Sequence, residues 1–546
     1  MKRASEVIEV NLEEWETLLE RARREPLDEA SYQKLQAALR AFRVLTEMIG
    51  EKNTTISRLR ALLAKPSTEK TSKVLEQAGI KAPPKSSPPP NAPGPPKPGH
   101  GRNGAAAYRG AERVKIVHGS LKPGDHCPEC LKGKVYVQKE PALRIRVVGQ
   151  APIAATVYEL ERLRCNLCGD VFEAEAPEGV GEKKYDETAA AMIGLLKYGS
   201  GVPFYRLEGL EASLGIPLPA STQWEIAEEI AAVIRPAFDE LIRQAAQGEV
   251  FYNDDTSMKI LALARASPQR AEEEASSNSK ERTGLFTSGI VSTTRQGQRI
   301  ALFFTGRNHA GENLARVFVE RAKGLAPPIQ MSDALSRNVP KLQEKLEILW
   351  GNCNAHARRR FVEVTPNFPE ECRFVLESFR DVYGYEAEAQ RRGLVPEARL
   401  RFHQERSQPV MDALHAWFEA QFNEKKVEPN SGLGEAITYC LKRWTRLTLF
   451  LRQAGAPLDS NLVERALKKC ILHRKNSLFY KTENGAEMGD LHMSLIHTCE
   501  LNGVNPFEYL IELQKHAAEL TQHPADWMPW NYRQALQQAG TSQPPA

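Results

Sequence analysis

The sequence predicts a multidomain α/β protein, and two observations support this fold class. The chain has 546 residues, which is well beyond the size at which one hydrophobic core stops growing, so several domains are expected. Between residues 249 and 364, short apolar runs of strand length surround one helical segment, whereas residues 186–247 and 365–455 have the spacing of amphipathic helices. Strands and helices are therefore expected in separate blocks along the chain.

Composition limits the class of protein without indicating a function. Of the residues, 41% are hydrophobic and 26% are charged, as in ordinary soluble proteins, and the net charge is +4. This small positive excess is compatible with nucleic-acid binding but does not by itself predict it. No apolar run approaches the roughly 18 residues of a membrane span, and the N-terminus lacks the apolar core of a signal peptide. We therefore expect a cytoplasmic protein with no membrane partner.

The first part of the chain predicts a helical region followed by a linker. From Leu35 to Leu63 a heptad pattern with mostly apolar a and d positions fits a short coiled coil, and an amphipathic helix packed on its own protein fits equally well. We assign residues 1–81 to this region. Residues 82–115 are rich in proline and basic residues, which predicts an extended linker rather than a helix or strand.

Residues 116–180 contain two Cys-x-x-Cys pairs, formed by Cys127, Cys130, Cys165 and Cys168. Two such pairs supply the four thiolates that tetrahedral Zn²⁺ requires. Strand-like runs at residues 134–138 and 143–149 lie between the pairs, so we predict a zinc ribbon with structural Zn²⁺. The module has little apolar sequence, and the metal is expected to fold it. The other five cysteines are scattered, which indicates a reduced intracellular protein.

Residues 181–248 predict three helices arranged like a helix–turn–helix module, with Ser221 or Thr222 as the N-cap of the third helix. That third helix begins with Glu225, Glu228 and Glu229. Acidic residues are unfavourable on a surface that faces DNA, so we interpret this helix as a structural connector.

Residues 249–364 carry the order strand, strand, strand, helix, strand. Asp254 follows the first apolar run and Asp333 follows the fourth. This order, with an acid at the end of the first and fourth strands, is typical of the opening of an RNase H-like fold. The two acids are then expected to face each other from adjacent central strands.

A third acid lies far along the chain. Residues 365–456 are amphipathic and helical, and we interpret them as an all-α insertion in the core. Residues 457–490 then complete the core with a basic helix, on which Glu464, Arg465 and Lys468 share one face. Residues 491–546 are predicted to form a C-terminal helical segment and tail.

Gathered in one fold, Asp254, Asp333 and Glu464 are a set of hard oxygen ligands suited to Mg²⁺ or Mn²⁺. Two such ions can stabilise the attacking and leaving oxygens of a phosphodiester displacement. Taken singly, each acid has a structural alternative; Glu464, for example, could close a capping box with Asn461. The three acids together favour the metal site. The candidate DNA contacts are His356, Arg358, Arg359, Arg465, Lys468, Arg474 and Lys475.

At these residues the chain resembles transposases of the insertion sequence 66 family, from about residue 35 to residue 515. The segments that carry the resemblance are the heptad region, the two Cys-x-x-Cys pairs, the acids before Thr256, the run Cys353-Asn-Ala-His-Ala-Arg-Arg-Arg-Phe361, Glu464-Arg465, Arg474-Lys-Asn-Ser-Leu-Phe479, and the tail around Asn505-Pro-Phe-Glu-Tyr. The resemblance implies a DDE transposase that cuts and joins DNA with two Mg²⁺ or Mn²⁺ ions. It places the three acids at Asp254, Asp333 and Glu464.

The resemblance also implies the partners and setting of the protein. They are double-stranded DNA, namely the terminal inverted repeats of the element and a target, a homo-oligomer on that DNA, and accessory proteins encoded with the element. The setting is the bacterial cytoplasm, in association with the nucleoid.

Departures from the family pattern leave alternatives open. Asp254-Asp255-Thr256 stands where the family has Asp-Glu-Thr, so Asp255 is an alternative first ligand. The residues after Asp333 and before Glu464 also differ from the family's. The alternative functions are a catalytically inactive DNA-binding regulator derived from a transposase, and a nuclease or resolvase on the same fold.

Overall fold

The structure is a computed structural model, and the parts of the chain that it describes are residues 28, 32, 70–80, 105–108, 111–139, 142–168, 170–177, 180, 183–265, 284–342 and 346–541. The heptad pattern at residues 35–63 and most of the proline-rich linker therefore lie outside the described residues. A short helix, α1 (Thr71–Gln77), precedes the linker.

The cysteine-containing module at residues 111–180 has little regular structure. Its strands β1 (Arg162–Arg164) and β2 (Val171–Glu173) pair antiparallel. The strands predicted at residues 134–138 and 143–149 are wrong, since the first run makes only an isolated bridge from Lys134 to His126 and the second makes none. An apolar run becomes a strand only where one face finds neighbours to pack against, and within the described part of this module only Ile153 is buried.

Three helices follow: α2 (Glu187–Gly194), α3 (Phe204–Ser213) and α4 (Ala220–Ala246). Asp186 caps α2 by accepting hydrogen bonds from the backbone N–H groups of Thr188 and Ala189. A π-helical turn at Leu195–Gly199 continues α2. The predicted N-cap of α4 was wrong: the helix begins directly after Pro219, so Ser221 and Thr222 lie inside its first turn. Proline pre-organises the backbone at a helix start, and no side-chain cap forms here.

A five-stranded mixed sheet forms the next block. Its strands are β3 (Val250–Ser257), β4 (Phe286–Thr293), β5 (Arg299–Gly306), β6 (Ile329–Ser332) and β7 (Leu349–Asn352). Their spatial order is β5-β4-β3-β6-β7, in which β3, β4 and β5 pair antiparallel and β6 and β7 continue parallel from β3. The helices α5 (Leu261–Arg265) and α6 (Ala310–Val319) lie between strands in the chain. The predicted α/β class is confirmed, and its sheet is mixed.

The remaining described chain is helical. Its helices are α7 (Asn354–Val364), α8 (Pro369–Arg391), α9 (Pro396–Arg406), α10 (Gln408–Asn423), α11 (Gly432–Lys442), α12 (Trp444–Leu447), α13 (Asn461–Ser477), α14 (Glu483–Leu501), α15 (Pro506–Lys515), α16 (Ala517–Gln522) and α17 (Tyr532–Thr541). Helices α7 to α12 bury their own apolar cluster, which includes Phe361, Phe379 and Phe418. None of the helices within the described ranges is long and apolar enough to cross a membrane.

Helix α14 covers the outer edge of β5 with a ladder of polar side chains. Backbone N–H groups of β5 donate to side chains of α14 and of its C-cap residue, Asn502, in the pairs Arg299 to Asn502, Ala301 to Thr498, Phe303 to Ser494 and Thr305 to Asp490. Four helical residues rise about 6 Å, and two strand residues rise about 6.6 Å, so every fourth side chain of the helix meets every second amide of the strand. The backbone N–H groups of β5 that would otherwise be unpaired at the edge of the sheet are thereby hydrogen-bonded.

Candidate active site

The first acid lies in the middle of β3, the central strand of the sheet, and not at the strand end that the sequence predicted, because pairing with β4 continues to Ser257. Successive side chains of a strand point to opposite faces, so Asp254 and Asp255 cannot share a face. Gly289 lies directly opposite Asp254 in the pairing of β3 with β4. The register of β3 with β6 matches Tyr252 to Met331, and two residues further along it sets Asp254 beside Asp333.

Asp255 points to the other face, where the protein itself uses its carboxylate. The side chain is 1% exposed and accepts hydrogen bonds from Ser288 Oγ at 2.8 Å and from the His309 ring, whose Nδ1 lies 2.8 Å away. Arg337 Nε lies 3.9 Å from the same carboxylate. Asp255 therefore anchors the start of α6 to the sheet.

Asp254 and Asp333 are joined by one side-chain amide. Asn338 Nδ2 donates to Asp333 Oδ1 at 2.5 Å and to Asp254 Oδ1 at 3.2 Å. Burial, and secondarily the negative charge of Asp333, raise the pKa of Asp254 above its ordinary value, against the hydrogen bonds that lower it. Two carboxylates this close, with one amide between them, leave negative charge that a divalent cation would compensate.

Asn338 is itself held firmly, and sequence reasoning missed it. The residue is fully buried. Its backbone carbonyl accepts hydrogen bonds from Asn253 Nδ2 and Gln330 Nε2, both at 2.7 Å. Asn253 and Gln330 lie on β3 and β6, so the amide is aligned by the same two strands that carry the acids. No motif marks Asn338 in the sequence; its position five residues after Asp333 is the only signal.

Glu464 lies in the first turn of α13, which packs on the face of the sheet that carries Asp254. The close approach depends on Gly289, because a Cβ added there would lie 2.9 Å from Leu467 and 3.3 Å from Val463. The capping-box alternative for Glu464 fails: Ser460 is the N-cap residue without a side-chain cap, and the Asn461 amide binds Asp459 instead.

His356 lies between the second and third acids. Its Nδ1 is 3.6 Å from Glu464 Oε1, and the sulfur of Cys353, the histidine and Glu464 offer ligand atoms that all lie within 4.8 Å of one another. The pKa of His356 is raised to about 9, mainly by its hydrogen bond with Cys353. The negative charges of Glu464 and Asp333 raise it further, and burial opposes the increase. Glu464 Oε1 and His356 Nδ1 are both buried without a hydrogen-bond partner.

In the described part of the chain, the carboxylate oxygens of Asp254, Asp333 and Glu464 do not all lie within 4.8 Å of one another. The donor set nevertheless fits divalent cations, since it combines a repelling pair of aspartates with a glutamate whose buried oxygen has no partner. These are the residues that could hold Mg²⁺ or Mn²⁺.

The candidate DNA contacts fall into two groups. Arg359, Arg465, Lys468 and Lys475 are exposed, as contacts to phosphate require. Arg358 donates to Thr71 Oγ1 at 3.1 Å and so joins α7 to α1. Arg474 donates to Thr256 Oγ1 at 3.1 Å and to the hydroxyl of Ser257 at 2.7 Å, so it ties α13 to the end of β3.

The helical unit, which consists of α7 to α12, adds cations that sequence reasoning missed. A cavity of about 280 Å³ beside Asp333 is lined by His356, Arg359, Arg360 and Arg443. The guanidinium carbons of Arg360 and Arg443 lie 4.0 and 4.3 Å from the ring centroid of Tyr439. Arg443, at the end of α11, thus reaches a site whose acids lie elsewhere in the chain.

The four cysteines of the predicted zinc site lie in two separate knuckles. Cys130 Sγ accepts from the Gly133 N–H, and Cys165 Sγ accepts from the Leu167 N–H, each at 3.4 Å. Such N–H···S bonds are typical of thiolate knuckles, and they lower the pKa of Cys130. Within the described residues, however, no three of the thiols lie within 4.8 Å of one another. The structure therefore does not gather the four thiols that the zinc prediction requires, and the Cys168 thiol donates to Asp170.

Comparison with known proteins agrees with this architecture. The profile described as Transposase IS66 family matches residues 183–488, which include the sheet, the helical unit and α13. Similar curated proteins include two uncharacterized proteins of Sinorhizobium fredii. The protein y4hP is 25% identical over 69% of this chain and 67% of its own length, and y4jD is 27% identical over 68% of this chain and 71% of its own length. Since the profile covers more than half of the residues, the chain belongs to the Transposase IS66 family.

Proposed function

We propose that the protein is a DNA transposase that binds the ends of an insertion sequence and cuts and joins DNA through Asp254, Asp333 and Glu464. The observation that carries the proposal is the single Asn338 amide that joins Asp254 and Asp333 from neighbouring parallel strands. The strand order β5-β4-β3-β6-β7 supports an RNase H-like core, interrupted by the helical unit α7 to α12.

The first metal ligand of this proposal is Asp254 rather than Asp255. Asp254 faces Asp333 and the helix of Glu464, whereas Asp255 is already bonded to Ser288 and His309 on the opposite face. Each oxygen of Asp255 already accepts a hydrogen bond, and the side chain is 1% exposed, which favours Asp254 as the ligand.

Asp254, Asp333 and Glu464 would hold two Mg²⁺ or Mn²⁺ ions, which activate the attacking oxygen and stabilise the leaving oxygen of a phosphodiester. The chain's own residues align and hold this set. Asn338 orients the two aspartates, Arg474 fixes the end of β3 to α13, and the docking of α13 on Gly289 sets the position of Glu464. Double-stranded DNA is the substrate, and Arg359, Arg465, Lys468 and Lys475 neutralise its phosphates.

A strand-transfer assay tests the proposal. Purified protein is mixed with labelled element ends and a target plasmid, in Mg²⁺, in Mn²⁺ or in EDTA. We expect metal-dependent joined product that falls at least about 100-fold in Asp333→Asn and Glu464→Gln, because losing a metal ligand removes several kcal/mol of transition-state stabilisation. The matched control is Glu487→Gln, which neutralises an exposed carboxylate on α14.

The same assay separates the alternatives. Binding without cleavage by the wild-type chain would favour a DNA-binding regulator, and cleavage without joining would favour a nuclease or resolvase. Asp254→Asn should abolish product without lowering the free energy of unfolding, because the raised pKa of Asp254 means that its charge does not stabilise the fold at neutral pH. Asp255→Asn should instead lower the free energy of unfolding by about 3–5 kcal/mol, as expected when a buried charge network is broken. The reverse pattern would make Asp255 the first ligand.

A further inference from the structure

A large aromatic cavity lies beside the proposed active site and has no role in the chemistry described above. Its volume is about 770 Å³, within the range of about 300–1,000 Å³ that is usual for small-molecule sites. Aromatic rings from three parts of the chain line it, namely Tyr198, Phe204, Tyr205, Trp224, Phe479 and Tyr480. These rings come from the helical module before the sheet and from the segment that follows α13.

The cavity is close to the acids because α13 carries both. His473, which lines the cavity, follows Glu464 by nine residues on this helix, a separation of roughly 13 Å along the helix axis. That distance corresponds to about four base steps of duplex DNA. Arg474, the next residue, bonds Thr256 at the end of the strand that carries Asp254. DNA bound at the acids would therefore pass the mouth of the cavity.

Two buried polar groups line the cavity: a lysine that is paired with one hydroxyl and one aromatic ring, and a histidine whose ring nitrogens have no partner. Lys197 is 8% exposed, donates to Ser477 Oγ at 3.0 Å, and forms no ion pair with a carboxylate among the described residues. Burial lowers its pKa to about 8. His473 is 1% exposed, and neither of its ring nitrogens has a partner. Burial lowers the pKa of His473 to about 3, so the neutral ring offers one donor and one acceptor.

The rim of the cavity exposes apolar side chains instead of burying them. Tyr205 is 60% exposed, Leu478 is 62% exposed and Phe479 is 40% exposed. Leu478 also has a φ of +68°, in the left-handed region where a bulky residue is strained and glycine is usual at a helix end. A strained, exposed leucine beside an aromatic cavity resembles the apolar wedges that proteins insert between base steps.

We propose that this cavity receives one nucleotide that is turned out of the DNA duplex near the cleaved bond. Its base stacks on the rings of Tyr205 and Phe479, His473 bonds the edge of the base, and Lys197 meets its phosphate or carbonyl oxygen. Leu478 fills the space that the base leaves in the duplex. This inference rests on the proposed function, because it requires DNA at the acids.

The charges of the cavity favour a nucleotide over an apolar peptide. Lys197 and Lys481 line it, and none of the described residues in its lining is an aspartate or a glutamate. The aromatic rings supply stacking surfaces that every base can use, whatever the DNA sequence. An extruded base is the usual way in which proteins reach a nucleotide inside a duplex.

The test uses 2-aminopurine, whose fluorescence changes when it leaves the base stack. Duplexes of the element's end carry the probe at one position at a time, over six positions around the cleaved bond. They are mixed with full-length Asp333→Asn protein, which is expected to bind without cutting. We expect the probe at one position to change its fluorescence when the protein binds. This change should be lost when Tyr205→Ala or Phe479→Ala is added to the Asp333→Asn protein.

Phe374→Ala is the matched control, because Phe374 is 39% exposed, almost the same as Phe479, but lies on α8 in the helical unit. We expect Phe374→Ala to leave the fluorescence signal and the DNA affinity intact. Phe479→Ala should lower DNA affinity roughly 5- to 150-fold. A probe signal at no position, or one that persists in the Tyr205→Ala, Phe479→Ala double variant, overturns the inference.

Parallel cleavage by the wild-type chain separates the two proposals. If the wild type cuts and joins the duplex but no probe position responds, the cavity inference alone fails. If the wild type neither binds nor cuts the duplex, both the proposed function and the cavity inference fail.

Discussion

Residues 111–180 and residues 183–541 are held together by different means. In the first region Ile153 is the one buried residue among those described, and Val114, Ile116, Tyr136 and Leu167 are all more than 70% exposed. In the second region the sheet and its helices bury a continuous core that includes Phe251, Phe303 and Tyr509. One region therefore lacks the apolar burial that ordinarily stabilises a fold, and the other has it in abundance.

The two regions therefore position their side chains by different means. Burial aligns side chains in the second region, so three acids far apart in the chain can be held by one amide and one helix contact. The first region can order its side chains only through an added interaction, and its paired cysteines offer one in Zn²⁺. The three predictions below test this contrast, from the largest expected effect to the smallest.

The first prediction concerns the metal dependence of the cysteine module. The wild-type chain should contain one Zn²⁺, and Cys165→Ser should lose it together with the order of residues 116–180. The reason is that structural zinc contributes roughly 10–16 kcal/mol to such modules. Metal analysis and limited proteolysis measure both effects, and fragments that contain residues 183–541 should stay resistant.

Lys132→Ser is the control for that variant, because it changes an exposed side chain in the same loop as Cys130. It should keep the zinc. An unchanged zinc content in Cys165→Ser would contradict the assignment and remove the contrast between the two regions.

The second prediction concerns a carboxyl group that the core of the second region buries. Asp490 on α14 is 4% exposed, and burial raises its pKa to about 7, against two hydrogen bonds from Thr305. The folded state thus binds this proton more tightly than the unfolded state does. Its stabilising contribution is complete below about pH 4 and is lost as the pH rises through 7, which amounts to up to about 4 kcal/mol.

Asp490→Asn should remove this dependence on pH, and Asp381→Asn, which changes a carboxyl group that is 46% exposed, should retain it. The free energy of unfolding, measured by urea denaturation from pH 4 to pH 8, tests both variants. An equally steep decrease in Asp490→Asn and in the wild type would show that the titration belongs to other groups.

The third prediction concerns how strictly the packing of α13 on the sheet fixes the position of Glu464. Gly289→Ala places a Cβ 2.9 Å from Leu467 and should shift α13, lowering the free energy of unfolding by about 1–3 kcal/mol. Strand cleavage should fall about 100-fold, because a displacement of about 1 Å near a catalytic group has that effect. Gly306→Ala is the matched control in the same sheet, since its added Cβ meets nothing within 4 Å. Equal activity of the two variants would mean that α13 does not depend on this contact.

Local signals in the sequence predicted much of the second region. The apolar runs ending at Asp254 and Asp333 predicted β3 and β6, which are adjacent and parallel, and the periodicity of residues 365–456 predicted helices. Local signals failed where packing decides. The cap expected at Ser221 gave way to Pro219, and the strands expected at residues 134–138 and 143–149 found no core to pack against.

The site shows the same division. Its acids could be named from the sequence because each follows an apolar run or lies in the first turn of a basic helix, although Asp254 proved to lie inside β3. Asn338, Arg443 and the buried role of Asp255 could not be named, because each depends on a segment that arrives from elsewhere in the chain.

Residue patterns alone were enough to predict an α/β protein of this transposase family, with two acids after apolar runs and a third at the start of a basic helix. Only the tertiary structure decided which of Asp254 and Asp255 faces Asp333, and which face of the sheet α13 covers. The physical reason is that alternation along a strand is local, so the sequence places two neighbouring side chains on opposite faces. Which face meets the other acids depends on how distant helices pack, and that packing depends on burial across the whole core.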